Sequence, residues 1–302
     1  MEIKLALWQA LCLNINITLY NDVIQNRWIW RAHMFWTKEM FRTKKPIIGL
    51  LHLEALPGDP FYKGSMKEVI ECARKDLDAL QKGGVDGILI TNEMSLPYQK
   101  HISTVTVASM ARVIGALEAE LSLPFGAEAI YDPEATIELC AAVDADFSRC
   151  VFTGAYVGDL GIIDHDVSRS LRLRRYLERQ DLRLFFFVNS EGEVLLNDRG
   201  TEEIVKTMMF NCRPDALVAA GSMAGVSPDG TLLETTAKAA GGRLPVFCGT
   251  GCREDTIENI FKTADGAFVG TTFKKNAALG ERIKLERVRR FMAAARAARG
   301  DR

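Results

Sequence analysis

From Pro46 onward the chain repeats one pattern: a short apolar run ending in polar or glycine-rich residues, then a longer stretch of helical periodicity. Strands that alternate with helices pair in parallel, because each helix carries the chain back across the sheet. Strands are predicted at Pro46–His52, Val85–Thr91, Pro124 to Ile130, Asp146–Phe152, Leu182–Val188, Asp215–Ala220, Pro245–Cys248 and Gly266–Val269. Eight units of this kind match the roughly 250 residues of a closed (β/α)8 TIM barrel. An open doubly wound sheet fits less well, since no Gly-x-Gly-x-x-Gly follows the first strand.

Helix boundaries are marked by familiar chemistry. Ser65 and Glu68 form a capping box ahead of the stripe Val69, Ala73, Leu77 and Leu80, and Gly83-Gly84 ends that helix. Asp132-Pro133 supplies a cap and a first-turn proline. Further helices are predicted over 104–121, 168–179 and 282–298, with a long loop at 153–166. Arg287, Arg289 and Arg290 complement the dipole of the last helix and a solvated face. The long loops follow strand C-termini, the face on which barrel enzymes build their sites.

Residues 1–33 differ from the rest. All four tryptophans, Trp8, Trp28, Trp30 and Trp36, fall within the first 36 residues. The apolar stretch Leu5–Ile17 is interrupted by Gln9 and Asn14 and lacks a clear cleavage site. The segment is either an amphipathic addition packed on the barrel or the result of a start assigned too early, with Met34 the true beginning. The second reading is preferred. The chain therefore divides into an extension (1–33) and a barrel domain (34–302), and the chemistry is sought in the second. A net charge of −1 argues against nucleic acid as a partner. No apolar run reaches the roughly 20 residues of a membrane span. Seven scattered cysteines, an odd number, point to a reducing compartment, so a cytoplasmic protein is expected. A homo-oligomer stays open.

The most specific local signal lies near the C-terminus. The seventh strand runs into Cys248-Gly249-Thr250-Gly251, and the eighth into Gly270-Thr271-Thr272-Phe273-Lys274. A phosphate dianion needs several N–H donors converging on a small volume. Glycine permits close backbone approach, and a following helix N-terminus adds positive partial charge. Loops after strands seven and eight often supply this arrangement. Gly249, Thr250, Gly251, Gly270, Thr271 and Thr272 are therefore expected to hold phosphate, with Gly221 and Ser222 closing a third side. Lys274 either adds charge or lies on the surface.

Four ionisable residues at strand ends are candidates for catalysis. His52 closes the first strand, and Asn92-Glu93 follows the second, where Glu93 suits a general base or a metal ligand. Glu128 lies in the third strand and faces either the barrel interior or a helix. Arg149, inside the fourth, needs an anionic partner: Glu128, Glu93 or the ligand. Asp159, Asp164, His165 and Asp166 leave a divalent metal open, although Asp132 and Asp166 are explained as helix caps. Asn189 and Glu191, after the fifth strand, carry less weight. No Gly-x-Ser-x-Gly elbow and no strand-end lysine with apolar neighbours is present.

Five stretches, in order, resemble the BtpA/SgcQ family: Ile47-Ile48-Gly49-Leu50-Leu51-His52-Leu53 with Leu56-Pro57-Gly58-Asp59-Pro60; Gly83-Gly84-Val85-Asp86-Gly87; Asn92-Glu93-Met94-Ser95-Leu96-Pro97-Tyr98; Phe152-Thr153-Gly154-Ala155-Tyr156; and Ala264 to Lys274. The third and fourth look closest to the SgcQ branch. The resemblance implies a barrel related to ribulose-phosphate-binding enzymes. It also implies either carbohydrate metabolism or, as the family name suggests, assistance to photosystem I accumulation. Two departures stand out. Many members carry Glu-Asn where this chain has Asn92-Glu93. Many carry an Asp-Val-x-x-Lys-His pattern around the fifth strand, where this chain has Phe187-Val188-Asn189-Ser190-Glu191-Gly192.

These readings lead to an expected enzyme acting on a phosphorylated sugar or related small metabolite by acid–base isomerisation, epimerisation or lyase chemistry. The alternatives are a non-catalytic assembly factor or ligand-responsive binding protein, and a nucleosidase-like hydrolase. The assembly-factor reading predicts an exposed apolar patch outside the mouth and no convergence of His52, Glu93 and Arg149.

Overall fold

Alternate residues of the barrel strands part to opposite sides, and this parity decides what reaches the mouth. The computed structural model describes residues 36–223, 225–228 and 230–301, so the predicted extension at 1–33 lies outside the described residues. The strands are β1 (Ile47–His52), β2 (Gly87–Thr91), β3 (Phe125–Glu128), β4 (Phe147–Cys150), β5 (Gly154–Gly158), β6 (Gly161–His165), β7 (Arg183–Phe187), β8 (Val194–Leu195), β9 (Ala216–Ala219), β10 (Val246–Cys248) and β11 (Gly266–Val269). Eight of them close a parallel barrel in the order β1-β11-β10-β9-β7-β4-β3-β2, as the alternating pattern predicts.

The helices are α1 (Met66–Gly83), α2 (Thr104–Leu117), α3 (Pro133–Ala142), α4 (Val167–Tyr176), α5 (Thr201–Asn211), α6 (Gly230–Ala240), α7 (Ile257–Ile260) and α8 (Leu285–Arg299). The caps form as the sequence signals them. Ser65 Oγ accepts from Glu68 N, Asp132 from Ala135 N, and Asp166 from Ser168 N, while Gly84 adopts φ 87°.

One face of each strand, including Ile47, Leu51, Ile88 and Leu184, packs against the helices. The other face fills the barrel with aromatic rings. Phe185 meets Phe147, Phe247 and Phe268 at centroid distances of 5.7, 4.9 and 5.4 Å. Trp36, in helical residues 36–41, adds a further edge contact to Phe185 at 5.4 Å. Such pairs add about 0.5–1.5 kcal/mol each beyond area burial. The barrel interior below the mouth is therefore a filled core.

Register is pinned by an aspartate at the start of several strands. Asp86, Asp146, Asp215 and Asp265 accept the backbone N–H of Ile47, Phe125, Leu184 and Val246 on the adjacent strand. Each satisfies a donor that a strand end would otherwise leave without a ladder partner.

The stretch 153–166, expected as a loop, is a β-hairpin. β5 and β6 pair antiparallel, and β8 adds to β5, making a separate three-stranded sheet. Tyr156, Ile163 and Leu195 face inward onto the barrel's interior cluster, so the hairpin walls one side of the mouth.

Helix α1 is locked to α8 by a glycine. A Cβ on Gly83 would lie 2.2 Å from Val288 Cγ1 and 2.5 Å from Val288 Cβ, an atom fixed to its own backbone. Gly83→Ala is expected to cost about 1–3 kcal/mol in overpacking. That exceeds alanine's helix-propensity gain of up to about 1 kcal/mol. A lower urea midpoint at unchanged m-value would register the loss.

Candidate functional site

The interior parity carries ionisable groups to the top of the barrel. His52 lies two residues past Leu50 on β1, and Arg149 two past Phe147 on β4. The register partners His52, Thr91 and Glu128 sit side by side on β1, β2 and β3, and Glu93 follows two residues beyond Thr91. Glu128 thus faces the barrel interior, which settles the alternative left open by the sequence.

Arg149 spans the floor of the mouth. Its Nε and Nη2 donate to Glu128 Oε2 at 3.2 and 3.1 Å, and Nη1 donates to the Gly249 carbonyl at 3.1 Å. The guanidinium lies 5.0 Å from the Phe187 ring centre and 4.8 Å from that of Phe268. The arginine's partner is therefore Glu128, and its position is fixed by two rings and a carbonyl on the opposite wall.

His52 is buried, and its Nε2 lies 3.8 Å from Glu93 Oε2, beyond hydrogen-bonding distance. Neither ring nitrogen has a hydrogen-bond partner among the described residues. Burial lowers its pKa to about 4, against the pull of Glu93 and with help from Lys274 and Arg149, so the imidazole is neutral at pH 7. Burial also raises Glu128, while Arg149 opposes the shift. Glu191 is pushed up to about 8, first by burial; Arg149 opposes this, and Glu93 and Glu128 add to it.

Two connected spaces open above these groups. The inner cavity, about 40 Å³, is lined by His52, Glu93, Arg149 and Glu191 together with Gly249, Thr250, Gly251, Gly270 and Thr271. The outer chamber, about 180 Å³, shares Glu93, Arg149 and Glu191 and adds Glu128, Tyr98, Tyr131, Phe187 and Met223. In the inner cavity the backbone N–H groups of Thr250, Gly251, Gly270 and Thr271 donate to no acceptor among the described residues. Four such donors near one small volume suit an oxyanion.

Several predicted site residues lie elsewhere. Gly221 is buried beneath its own loop: its N–H donates to Thr250 Oγ1, and a Cβ there would lie 1.9 Å from the Val226 carbonyl oxygen. Ser222 is exposed and does not line the inner cavity; the third side is closed by Gly225 instead. Thr272 turns away to donate to the Cys252 carbonyl. The expected helix N-terminus is also displaced. α7 begins only at Ile257, and a short 3-10 turn, Thr271–Phe273, follows β11. Lys274 is buried and donates to the Leu279 carbonyl, so it is not a surface residue. Arg287 donates to the Thr272 carbonyl and Arg290 pairs with Glu254, roles more specific than a solvated face.

Asp164, His165 and Asp166 line a separate groove beside α2 and α3, with Asp166 engaged as the α4 cap. Among the described residues no three His, Cys, Asp or Glu side chains gather as a metal would require. Glu191, which the sequence places with less weight, lines both spaces of the mouth. Tyr98 closes the Asn92–Tyr98 stretch that resembles the family, whereas Tyr131 and Gly225 carry no sequence signal of their own, because loop closure alone brings them to the site.

The sequence profile of the BtpA family matches residues 43–297. The sgc region protein SgcQ of Escherichia coli K12 is 38% identical over 261 residues, covering 86% of this chain and 97% of that protein. The photosystem I biogenesis protein BtpA of Synechocystis is 30% identical, covering 85% and 90%. Among solved structures, (S)-3-O-geranylgeranylglyceryl phosphate synthase from Thermoplasma acidophilum, in complex with sn-glycerol-1-phosphate, aligns with a TM-score of 0.56 at 13% identity, covering 87% of this chain and 98% of that one. Phosphoribosylanthranilate isomerase from Thermotoga maritima gives 0.51 at 9%, covering 84% and 99%. At such identities the structural likeness speaks for the fold alone. No helix among the described residues is long and apolar enough to cross a membrane. Matched by the profile over nearly all of its barrel, and covering its bacterial relative almost end to end, the chain belongs to the BtpA family.

Proposed function

We propose that this chain is an enzyme that moves a proton between adjacent carbons of a phosphorylated sugar or related metabolite. The observation that carries the reading is the meeting of free backbone N–H groups with His52, Glu93 and Arg149 in one cavity. Phosphate binds to the amides of Thr250, Gly251, Gly270 and Thr271. Glu93 takes a proton from the carbon next to the carbonyl. The neutral imidazole of His52 gives a proton to the carbonyl oxygen as negative charge develops there and takes one from the neighbouring hydroxyl, so that the reaction passes through an enediol, and Glu93 returns its proton to the former carbonyl carbon. A buried imidazole with both nitrogens unpartnered needs a ligand or water to satisfy it, which supports this role. Arg149 holds Glu128 and the Gly249 turn in place. That a barrel of similar fold is known with sn-glycerol-1-phosphate bound fits the phosphate assignment.

The assembly-factor reading has one observation in its favour. Val194, Val157 and Ile162 stand directly opposite one another on the outer face of the β8-β5-β6 sheet, and Leu196 adds to this exposed apolar stripe. The convergence of His52, Glu93 and Arg149 favours catalysis, since a pure docking protein has no use for it.

A thermal-shift screen of phosphorylated sugars and nucleotides tests the proposal. At least one sugar phosphate is expected to raise Tm in the wild type, by ligand linkage, and to have no effect on Gly270→Asp. That substitution puts a carboxylate where a Cβ already lies 2.9 Å from His52 Cε1. A hit that survives Gly270→Asp would remove the phosphate from this cavity.

A further inference from the structure

We infer that the outer chamber receives the non-phosphate end of the substrate and that this end is a polyol carrying an amine, not a carboxylate. The inference rests on the phosphate reading of the inner cavity and extends it to the rest of the ligand.

The argument is a count of donors and acceptors. The hydroxyl donors of the chamber are committed within the protein. Tyr98 donates to the Glu93 carbonyl at 3.1 Å, Tyr131 to Glu193 Oε1 at 2.6 Å, and Ser190 to Glu193 Oε2. The backbone N–H of Ile130 donates to Asn92 and that of Gly192 to the Ser222 carbonyl, while those of Tyr131, Ser190 and Glu191 donate to no acceptor among the described residues. Arg149 has committed Nε and one N–H from each terminal nitrogen, so only two N–H remain.

The acceptors are open. The Glu191 carboxyl accepts no hydrogen bond among the described residues, Glu128 Oε1 is likewise unengaged, and the Glu93 carboxyl has the Tyr98 hydroxyl beside it. Three carboxyl groups thus face the cavity around a single guanidinium. A ligand that fits must supply donors and positive charge. A carboxylate or second phosphate would compete with Glu93, Glu128 and Glu191 for the one guanidinium. Burial first, and then Glu93 and Glu128, hold Glu191 largely protonated at pH 7, and an ammonium beside it would draw off that proton and supply the missing counter-charge. Tyr98 and Tyr131, with ring centres 5.5 Å apart, give the same chamber an aromatic wall against which a cation or the C–H face of a sugar can lie.

The test is isothermal titration of the full chain at pH 7 with four probes: inorganic phosphate, glucose 6-phosphate, glucosamine 6-phosphate and 6-phosphogluconate. Glucosamine 6-phosphate is expected to bind about tenfold more tightly than glucose 6-phosphate, the usual gain from one charge-assisted hydrogen bond. The gluconate is expected to bind no better than inorganic phosphate. Glu191→Gln, which keeps shape and removes charge, should abolish the amine preference, so that glucosamine 6-phosphate and glucose 6-phosphate bind alike on the variant. Equal binding of the three organic phosphates, or an amine preference that survives Glu191→Gln, overturns the inference while leaving the phosphate cavity standing. Failure of all four probes overturns the phosphate reading, and this inference with it.

Discussion

Replacing Arg149 with methionine is expected to destabilise the fold by about 3–5 kcal/mol, the range for breaking a buried ion pair from one side. Methionine fills much of the space between Phe187 and Phe268, so the loss is mainly one of charge. Glu128 would be left buried beside Glu93 and Glu191, and the Gly249 carbonyl would lose its donor. Without its counter-ion Glu128 has a still higher folded pKa than it has now. The folded state would then bind a proton that the unfolded chain has released, so the deficit should grow as pH rises through the neutral range and shrink below about pH 5. Urea denaturation at pH 5 and pH 8 reads this directly. Arg149→Met combined with Glu128→Met should recover a large part of the loss, since replacing both members of a buried pair is often close to neutral. A deficit under about 1 kcal/mol, independent of pH, would mean that the pair is solvated and works like a surface bridge.

The barrel was legible in the sequence because its signals are local and repeated. Apolar runs of strand length recur at every unit, side-chain caps open α1, α3 and α4, glycines end α1 and α8, and each signal constrains only its own neighbourhood. The hairpin at 154–165 was not. Its alternation, with Tyr156 and Ile163 inward and Val157 and Ile162 outward, is short and interrupted. Its third strand, Val194–Leu195, comes from the far side of an intervening strand and helix, a pairing that local pattern does not encode.

The candidate site divides along the same line. His52 and Arg149 sit within strands, where parity fixes their direction, and Glu93 follows closely after one, so position alone suggested them. Glu128 was ambiguous until the register with Thr91 and the reach of Arg149 fixed its face. Gly221 and Ser222 looked equivalent to the other glycine-containing turns, but Val226 and Ser227 fold over the 249–251 turn and replace them with Gly225. Glu191 was undervalued because the chain has already left its strand and parity no longer applies. Its place at the junction of both cavities depends on the packing of three separate loops.

Substituting His52 with glutamine is expected to lower kcat by about 10²–10⁴-fold, the usual contribution of a positioned acid–base group, with a smaller effect on KM. An amide can fill the imidazole's position and reach a carbonyl, yet it donates more weakly and cannot take up or release a proton. The fold should tolerate the change, because His52 makes no protein hydrogen bond that glutamine would forfeit. The acid limb of the stability profile provides an independent check. The folded protein protonates His52 only near pH 4, whereas the unfolded chain does so near the ordinary value of 6.5. Between those values the unfolded state binds more protons, so the wild type should lose up to roughly 3 kcal/mol as pH falls through that window. His52→Gln should lose correspondingly less over the same window, as read from urea midpoints between pH 7 and pH 4.5. Parallel curves would mean that burial leaves the imidazole's pKa at its ordinary value, and a wild type that gains stability relative to His52→Gln as pH falls would mean that the imidazole is already protonated against Glu93. A neutral proton donor to the carbonyl would then be the wrong role for it, and the proton-transfer assignment would have to begin from an ion pair instead.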